Sequence, residues 1–285
     1  MPGQRTRDNT TLVVDSASDL PTVADDQRRW PVVPMHVHLD GRDYRDSVDL
    51  TTQGFYERLR SGGAEPRTSQ PSPGEFEAVF RAALAERPYA VAVIASARAS
   101  GAFESARLAA GGLDGVQVVD SGSVSGAIVL LADAIERRLD HGTRPEEIEA
   151  LAGRFREQAC ALVALDTLEY LVRGGRVSRV AGLAGQLAHL KPVLRLVDGE
   201  VTAYRRVRGR ARALELLVRT FAAEAGETPR VAIAHADAQG DADRLAEQIA
   251  ALRPRASLDF RGLFGPALGS HSGPDALALM WFDDD

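Results

Sequence analysis

Two short stretches set hydroxyl groups beside expected helix starts. The first is Arg67-Thr68-Ser69-Gln70-Pro71-Ser72-Pro73-Gly74-Glu75 and the second is Ala99-Ser100-Gly101. Ser72, Pro73 and Glu75 read as a capping box with proline at the first helical position. The spacing of Phe76, Val79, Phe80, Ala83 and Leu84 then gives that helix one buried face. Thr68 and Ser69 therefore fall in the loop before a helix. Val91-Ala92-Val93-Ile94 reads as a buried strand, and Ser100 caps a helix that begins near Ala102. Hydroxyl donors beside helix N-termini suit an anionic oxygen ligand, a carboxylate or a phosphate. The same residues serve equally as plain turn and cap residues, and spacing alone leaves both readings open. His271, in Gly269-Ser270-His271-Ser272-Gly273-Pro274, is the histidine most worth following; hydrogen bonding within its loop is its plainer role.

Other chemistries are excluded by what is missing. No two glycines stand two apart, so the dinucleotide fingerprint is absent, and the only lysine, Lys191, precedes Pro192 rather than closing a phosphate-binding loop. No Gly-x-Ser-x-Gly surrounds Ser96 or Ser100, which argues against a hydrolase elbow. His36 and His38 share one strand face without a third ligand nearby, so they read as ordinary strand residues and no metal is expected. Cys160 is the only cysteine; it reads as a core thiol and points to a reducing cytoplasm. At 285 residues, 45% hydrophobic and 26% charged, the chain has the composition of a soluble two-domain protein. No apolar run approaches the length of a membrane span, and the polar start lacks a signal core. A net charge of −6 argues against nucleic acid and anionic membranes as partners, a local basic patch aside.

These groups need a frame. Residues 1–9 read as a disordered tail, 10–150 as one α/β domain and 151–285 as a second. Strands over 11–14, 91–94 and 116–119 alternate with helices, the pattern of βαβ units on a doubly wound parallel sheet. Its strands end in Asp15-Ser16, Ser96 and Asp120-Ser121, where such sheets collect ligands. Residues 32–39 read as one strand with a turn at Asp40-Gly41. In the second half, strands over 191–197 and 201–207 flank Asp198-Gly199, a strong hairpin signal. Helices over 210–225 and 241–252 and two closing strands complete the domain, with His271 in the loop between those strands.

In this order the motifs resemble one family, the DegV proteins, fatty-acid-binding subunits of the bacterial fatty acid kinase system. The likeness covers nearly the whole chain. It rests on Val14-Asp15-Ser16-Ala17-Ser18-Asp19-Leu20-Pro21, Thr68-Ser69-Gln70-Pro71, Ser100-Gly101, Val119-Asp120-Ser121 and Leu168-Glu169-Tyr170-Leu171 with Gly174-Gly175-Arg176. It continues in Leu190-Lys191-Pro192, Val207-Arg208 and His271-Ser272-Gly273-Pro274. The resemblance implies a two-domain α/β fold with a lipid tunnel between the domains, holding one long-chain fatty acid. It implies that Thr68 and Ser100 hold the carboxylate with His271 close by. Arg208, Arg176, Ser69 and Ser96 become secondary head-group or partner-surface positions. It further implies a separate kinase subunit that supplies ATP and forms an acyl phosphate, with no cofactor in this chain, no nucleic acid, and at most a transient membrane contact.

The chain departs from the family pattern in places. Ser96-Ala97 stands where two serines are usual, and Ala102-Phe103 where Thr-Tyr is usual. Ser272 replaces a threonine, and Asp275 stands where glycine is common. The alternative from another class is a stand-alone enzyme working on a small anion in the crevice of Asp15, Ser96 and Asp120.

Overall fold

The computed structural model describes residues 3–20, 30–176 and 190–284. Pro21, the end of the first motif, lies outside them. The first half runs β1 (Thr10–Asp15), a 3-10 turn (Ser16–Ser18), β2 (Val32–Val33), β3 (His36–Leu39), β4 (Arg42–Arg45), α1 (Thr52–Ser61) and β5 (Arg67–Ser69). It continues α2 (Pro73–Glu86), β6 (Tyr89–Ile94), α3 (Ala102–Ala110), β7 (Val116–Asp120), α4 (Gly126–Leu139) and α5 (Pro145–Gln158). The strand expected over 32–39 divides at Pro34, which has no N–H to give a ladder. Strands β2-β1-β6-β7 form the expected parallel sheet. Strands β4-β3-β5 form a small antiparallel sheet beside it.

The second half runs β8 (Cys160–Ala164), α6 (Glu169–Arg173), β9 (Leu190–Val197), β10 (Glu200–Arg208), α7 (Arg210–Glu224) and β11 (Arg230–His235). It closes with α8 (Gln239–Leu252), β12 (Ser257–Leu263), α9 (Pro266–Ser272) and β13 (Leu277–Phe282). Its mixed sheet has the order β10-β9-β8-β13-β11-β12, with only β11 and β12 parallel. Along β8 the period-two alternation sorts two cores. Ala161 belongs to the core shared with the first half, whereas Cys160, Leu162 and Ala164 join the core under α7 and α8. Cys160 is the buried core thiol expected, and burial pushes it up to about 12.

Helix α4 joins the halves. Residues 126–135 are all buried, because the helix lies between the sheets, against β1 and β6 on one side and β11, β12 and β13 on the other. Residue 150, the expected boundary, lies inside α5; the chain passes from one sheet to the other at Ala159. Residues 3–9 are fastened rather than a free tail. Arg5 and Thr143 exchange backbone hydrogen bonds of 2.7 and 2.8 Å, and the Arg5 guanidinium stands 3.4 Å over the Tyr89 ring. Polar composition suggested disorder there, but backbone pairing and one cation–π contact hold the segment without apolar burial.

Candidate functional site

Thr68 and Ser69 sit on a strand, not in a loop. The short β5 pairs with β3, setting Thr68 opposite Val37 and Ser69 opposite His36. The capping box expected next is present: Ser72 Oγ accepts from the Glu75 N–H, and Glu75 accepts from the Ser72 N–H at 2.8 Å. Gln70, just after β5, lies on the backbone of Gly101, where a Cβ would come within 2.9 Å of Nε2. The Thr68 and Ser100 segments therefore abut, and Gly101 is the residue that lets them. The cap of α3 is Gly101, one residue later than expected. Ser100 still serves the helix start, since its hydroxyl accepts from the Ala102 N–H at 3.2 Å.

His271 is not in a loop either. It occupies the last turn of α9, and Thr68 Oγ1 lies 2.7 Å from its Nε2 across 203 residues of chain. Its Nδ1 is enclosed and has no partner among the described residues. Two glycines allow this packing. A Cβ on Gly174 would stand 2.2 Å from His271 Nδ1, and one on Gly273 2.2 Å from the Tyr170 ring. Burial, with the Arg176 charge adding to it, lowers His271 to about 4, so the ring is neutral near pH 7. Nε2–H donating to Thr68 would leave the threonine proton free for another acceptor.

The first motif holds α9 in place. Asp19 accepts from the Gly265 N–H at 2.8 Å and from Ser125 Oγ at 2.5 Å. Asp46 accepts from Ser16 Oγ at 2.7 Å and from the Ala267 N–H. Tyr56 donates to the Phe264 carbonyl at 3.0 Å. Two carboxylates of the first domain thus cover the N-terminal N–H groups of a helix in the second. Burial raises Asp15 to about 7, Asp46 to about 6, and Asp19 well above the carboxylate range. Sequence reasoning did not assign Asp19 and Asp46 this place under the helix that carries His271. The polar cluster at the end of β1 signalled a site, but nothing local showed that its partner lay some 246 residues on.

A narrow apolar cavity opens beside His271. The sheet supplies Ala161, Val163, Leu194, Leu196, Ala278 and Met280; Leu171 of α6, Leu268 of α9 and Val124 face them. Of Thr68, Ser100 and His271, His271 alone lines it, with Ser272 beside it. Arg176 and Arg208 are exposed at this end of the sheet: Arg176 follows α6, and Arg208 pairs with Leu190. Ser69 bonds His38 at 3.1 Å. Ser96 is engaged elsewhere, donating to the Gly199 carbonyl at 2.7 Å. His36 pairs with Glu75 and His38 with Asp43, and no cluster able to hold a metal occurs among the described residues. Asp275 adopts φ 62°, a conformation glycine takes freely, and its carboxylate pairs with Arg60.

A family described as an uncharacterised protein, DegV family, matches residues 9–284. A protein of Thermotoga maritima named a fatty acid-binding protein is 34% identical over 237 residues, 79% of this chain and 81% of its own. A solved DegV family protein of Thermus thermophilus, described by its fatty acid binding, superposes with a TM-score of 0.88 at 32% identity. The match covers 96% of this chain and 99% of that one. The fatty acid kinase B3 protein of Streptococcus pneumoniae, solved with linoleic acid, has a TM-score of 0.83 at 20% identity, over 97% and 100% of the two chains. That last likeness is one of fold.

Proposed function

The chain belongs to the DegV family, and we propose that it binds a long-chain fatty acid and presents the carboxylate to a separate kinase subunit. That subunit supplies ATP and forms the acyl phosphate, a step toward phospholipid synthesis in the cytoplasm. The observation that carries the reading is the apolar cavity with His271 at one end, bonded to Thr68. An acid of about sixteen carbons carries about fourteen methylenes, and at ~0.8 kcal/mol each their burial is worth roughly 11 kcal/mol gross. Ordering costs reduce that sum without cancelling it.

A carboxylate enters such a site only with donors for its oxygens. Thr68, with its proton freed by His271, supplies one, and Ser100 on the abutting segment a second. Arg176 and Arg208 are placed to meet the head group or the kinase, and Ser69 supports β5 through His38. A chain of about sixteen to eighteen carbons is the expectation by analogy with the family, and ~0.8 kcal/mol per methylene favours the longer acids. Division of labour fits the sequence, which has neither the glycine fingerprint nor a phosphate-binding loop. No helix among the described residues is long and apolar enough to cross a membrane.

Extraction of the purified protein and mass spectrometry test the reading. Near one fatty acid per chain is expected, with no ATP turnover by the chain alone and acyl phosphate only after a kinase subunit is added. Protein that is lipid-free and stays so when offered palmitate or oleate would refute it. ATP turnover by the pure chain would refute the carrier role.

A further inference from the structure

The apolar cavity has a second end, away from His271. Its sheet wall is layered by register. Val163 pairs with Leu194 and Ala278, and one step further from α9 come Ala161, Met280, Leu196 and Val201, with Val201 paired to Leu196. From Leu165, at the α6 end, to Ala161 the strand advances about 13 Å. Beyond that layer lies a different space, a polar cleft lined by Ser96, Arg98, Asp120, Arg156 and Asp198. Leu196 and Arg195 line both the cavity and the cleft. One residue's thickness of β9 therefore divides apolar from polar space.

That partition is carried on the β9–β10 hairpin, and the hairpin tip is tied to the other domain. Asp198 and Gly199 take φ 50° and 76°, the left-handed pair of a tight hairpin turn. The fully buried Ser96 donates to the Gly199 carbonyl at 2.7 Å, and Arg98 Nη1 donates to the Asp198 carbonyl at 3.2 Å. Arg98 also pairs with Glu200 at 3.4 Å. A Cβ on Gly199 would stand 2.4 Å from Ser96 Oγ, so the tip seats directly on that hydroxyl.

We infer that Leu196 and Val201, with Ala161 and Met280, form the end wall that limits acyl length, and that Ser96 is the positioning residue that latches this wall shut. The inference rests on the fatty acid reading and adds to it the residues that set which acids fit. An acid too long for the cavity must push Leu196 toward the cleft, placing methylenes among charged groups and straining the latch. Shorter acids leave the last layer unfilled.

Competition binding with saturated acids from about twelve to about twenty-two carbons tests this on the intact protein. Leu196→Ala should improve binding of an acid two carbons longer than the wild-type optimum roughly tenfold relative to the optimum itself. Ala161→Leu, in the same layer, should shift the preference the other way, and it carries the test if Leu196→Ala fails to fold. Ser96→Ala should flatten the length profile on its long side. An equal loss at every length in Ser96→Ala would overturn the latch. Unchanged optima in both wall variants would overturn the inference while leaving a fatty acid carrier standing. A wild-type protein that binds no acid of any length would instead remove the functional reading beneath it.

Discussion

Thr68→Ala removes one hydroxyl from the direct bond between Thr68 and His271 in the proposed head-group site. Thr68 Oγ1 lies 2.7 Å from His271 Nε2, while Nδ1 of the same ring has no partner among the described residues. The variant therefore takes the partner of Nε2 from a neutral imidazole, at a cost of about 1–3 kcal/mol. It also deletes the donor whose proton His271 frees for the carboxylate, a charge-assisted bond of about 1.5–3 kcal/mol. Ser100 and backbone N–H groups remain, and the tail is still held by apolar contacts. Affinity for palmitate should fall about ten- to hundredfold. Kinase-dependent phosphorylation should fall further, because a loosely aimed carboxylate loses orientation as well as binding. Thr68→Ala with Ser100→Ala should weaken phosphorylation more than binding. Ser69→Ala is the control: its hydroxyl bonds His38 and should matter less. Competition with a fluorescent fatty acid, followed by the coupled kinase assay, reads both quantities. Wild-type affinity and phosphorylation in Thr68→Ala and in Ser100→Ala would show the site assignment to be wrong.

Gly174→Ala should displace His271, since the new Cβ would stand 2.2 Å from Nδ1 and 3.1 Å from the Tyr170 carbonyl. A stability loss of about 1–3 kcal/mol with reduced fatty acid affinity is expected. Gly175→Ala, where nothing lies within 4 Å but φ is 70°, should cost stability and spare affinity; equal affinities in the two variants would refute the packing argument. Stability should also peak at mildly acid pH. Asp15 and Asp46, raised by burial to about 7 and about 6, contribute stability that is complete below the ordinary carboxylate range and lost as pH rises through those values. His271, lowered to about 4, contributes stability present above its ordinary pKa of about 6.5 and lost as pH falls toward 4. The melting temperature should be higher near pH 6 than at pH 8, with Asp15→Asn flattening the alkaline limb; a steady climb from about pH 5 to pH 8 would contradict it.

Signals that were local in the chain were legible from it. The capping box of Ser72 and Glu75, the Asp198-Gly199 hairpin and the buried runs of β1 and β6 each follow from neighbours a few residues apart. Helix α5 likewise takes its start from Pro145 at the first helical position. What failed depended on distant partners. Thr68 looks like loop because β5 has three residues, and it is a strand only by pairing with β3. The glycines of Gly269-Ser270-His271-Ser272-Gly273 suggested a loop, yet Pro266 starts a helix there and Asp19 and Asp46 cover its N–H groups. Ser96, in the strand-end crevice and a candidate near the head group, turned out to hold the hairpin tip. No spacing in the sequence carries the 103-residue separation of that bond.

The strand-end crevice, the usual ligand position in doubly wound sheets, is engaged by the protein's own side chains. The N–H groups gathered there are already taken by the protein's own carboxylates. Asp15 accepts from Ala17 and Ala95 at 3.1 and 2.9 Å, and Asp120 from Ala97 and Gly122 at 3.2 and 2.8 Å. Asp15 has no exposed surface. A phosphate or carboxylate entering would find those donors occupied, and a buried anion without donors is costly. At β5 and α9 the balance is reversed. The groups that meet there are neutral hydroxyls and a neutral imidazole, and Arg176 is the charge that bears on His271. The carboxylates at the end of β1 act at one remove: by covering the first N–H groups of α9 they fix the helix whose last turn carries His271. Acidic side chains thus occupy the crevice donors through Asp15 and Asp120 and, through Asp19 and Asp46, position the residue proposed to receive an anionic ligand.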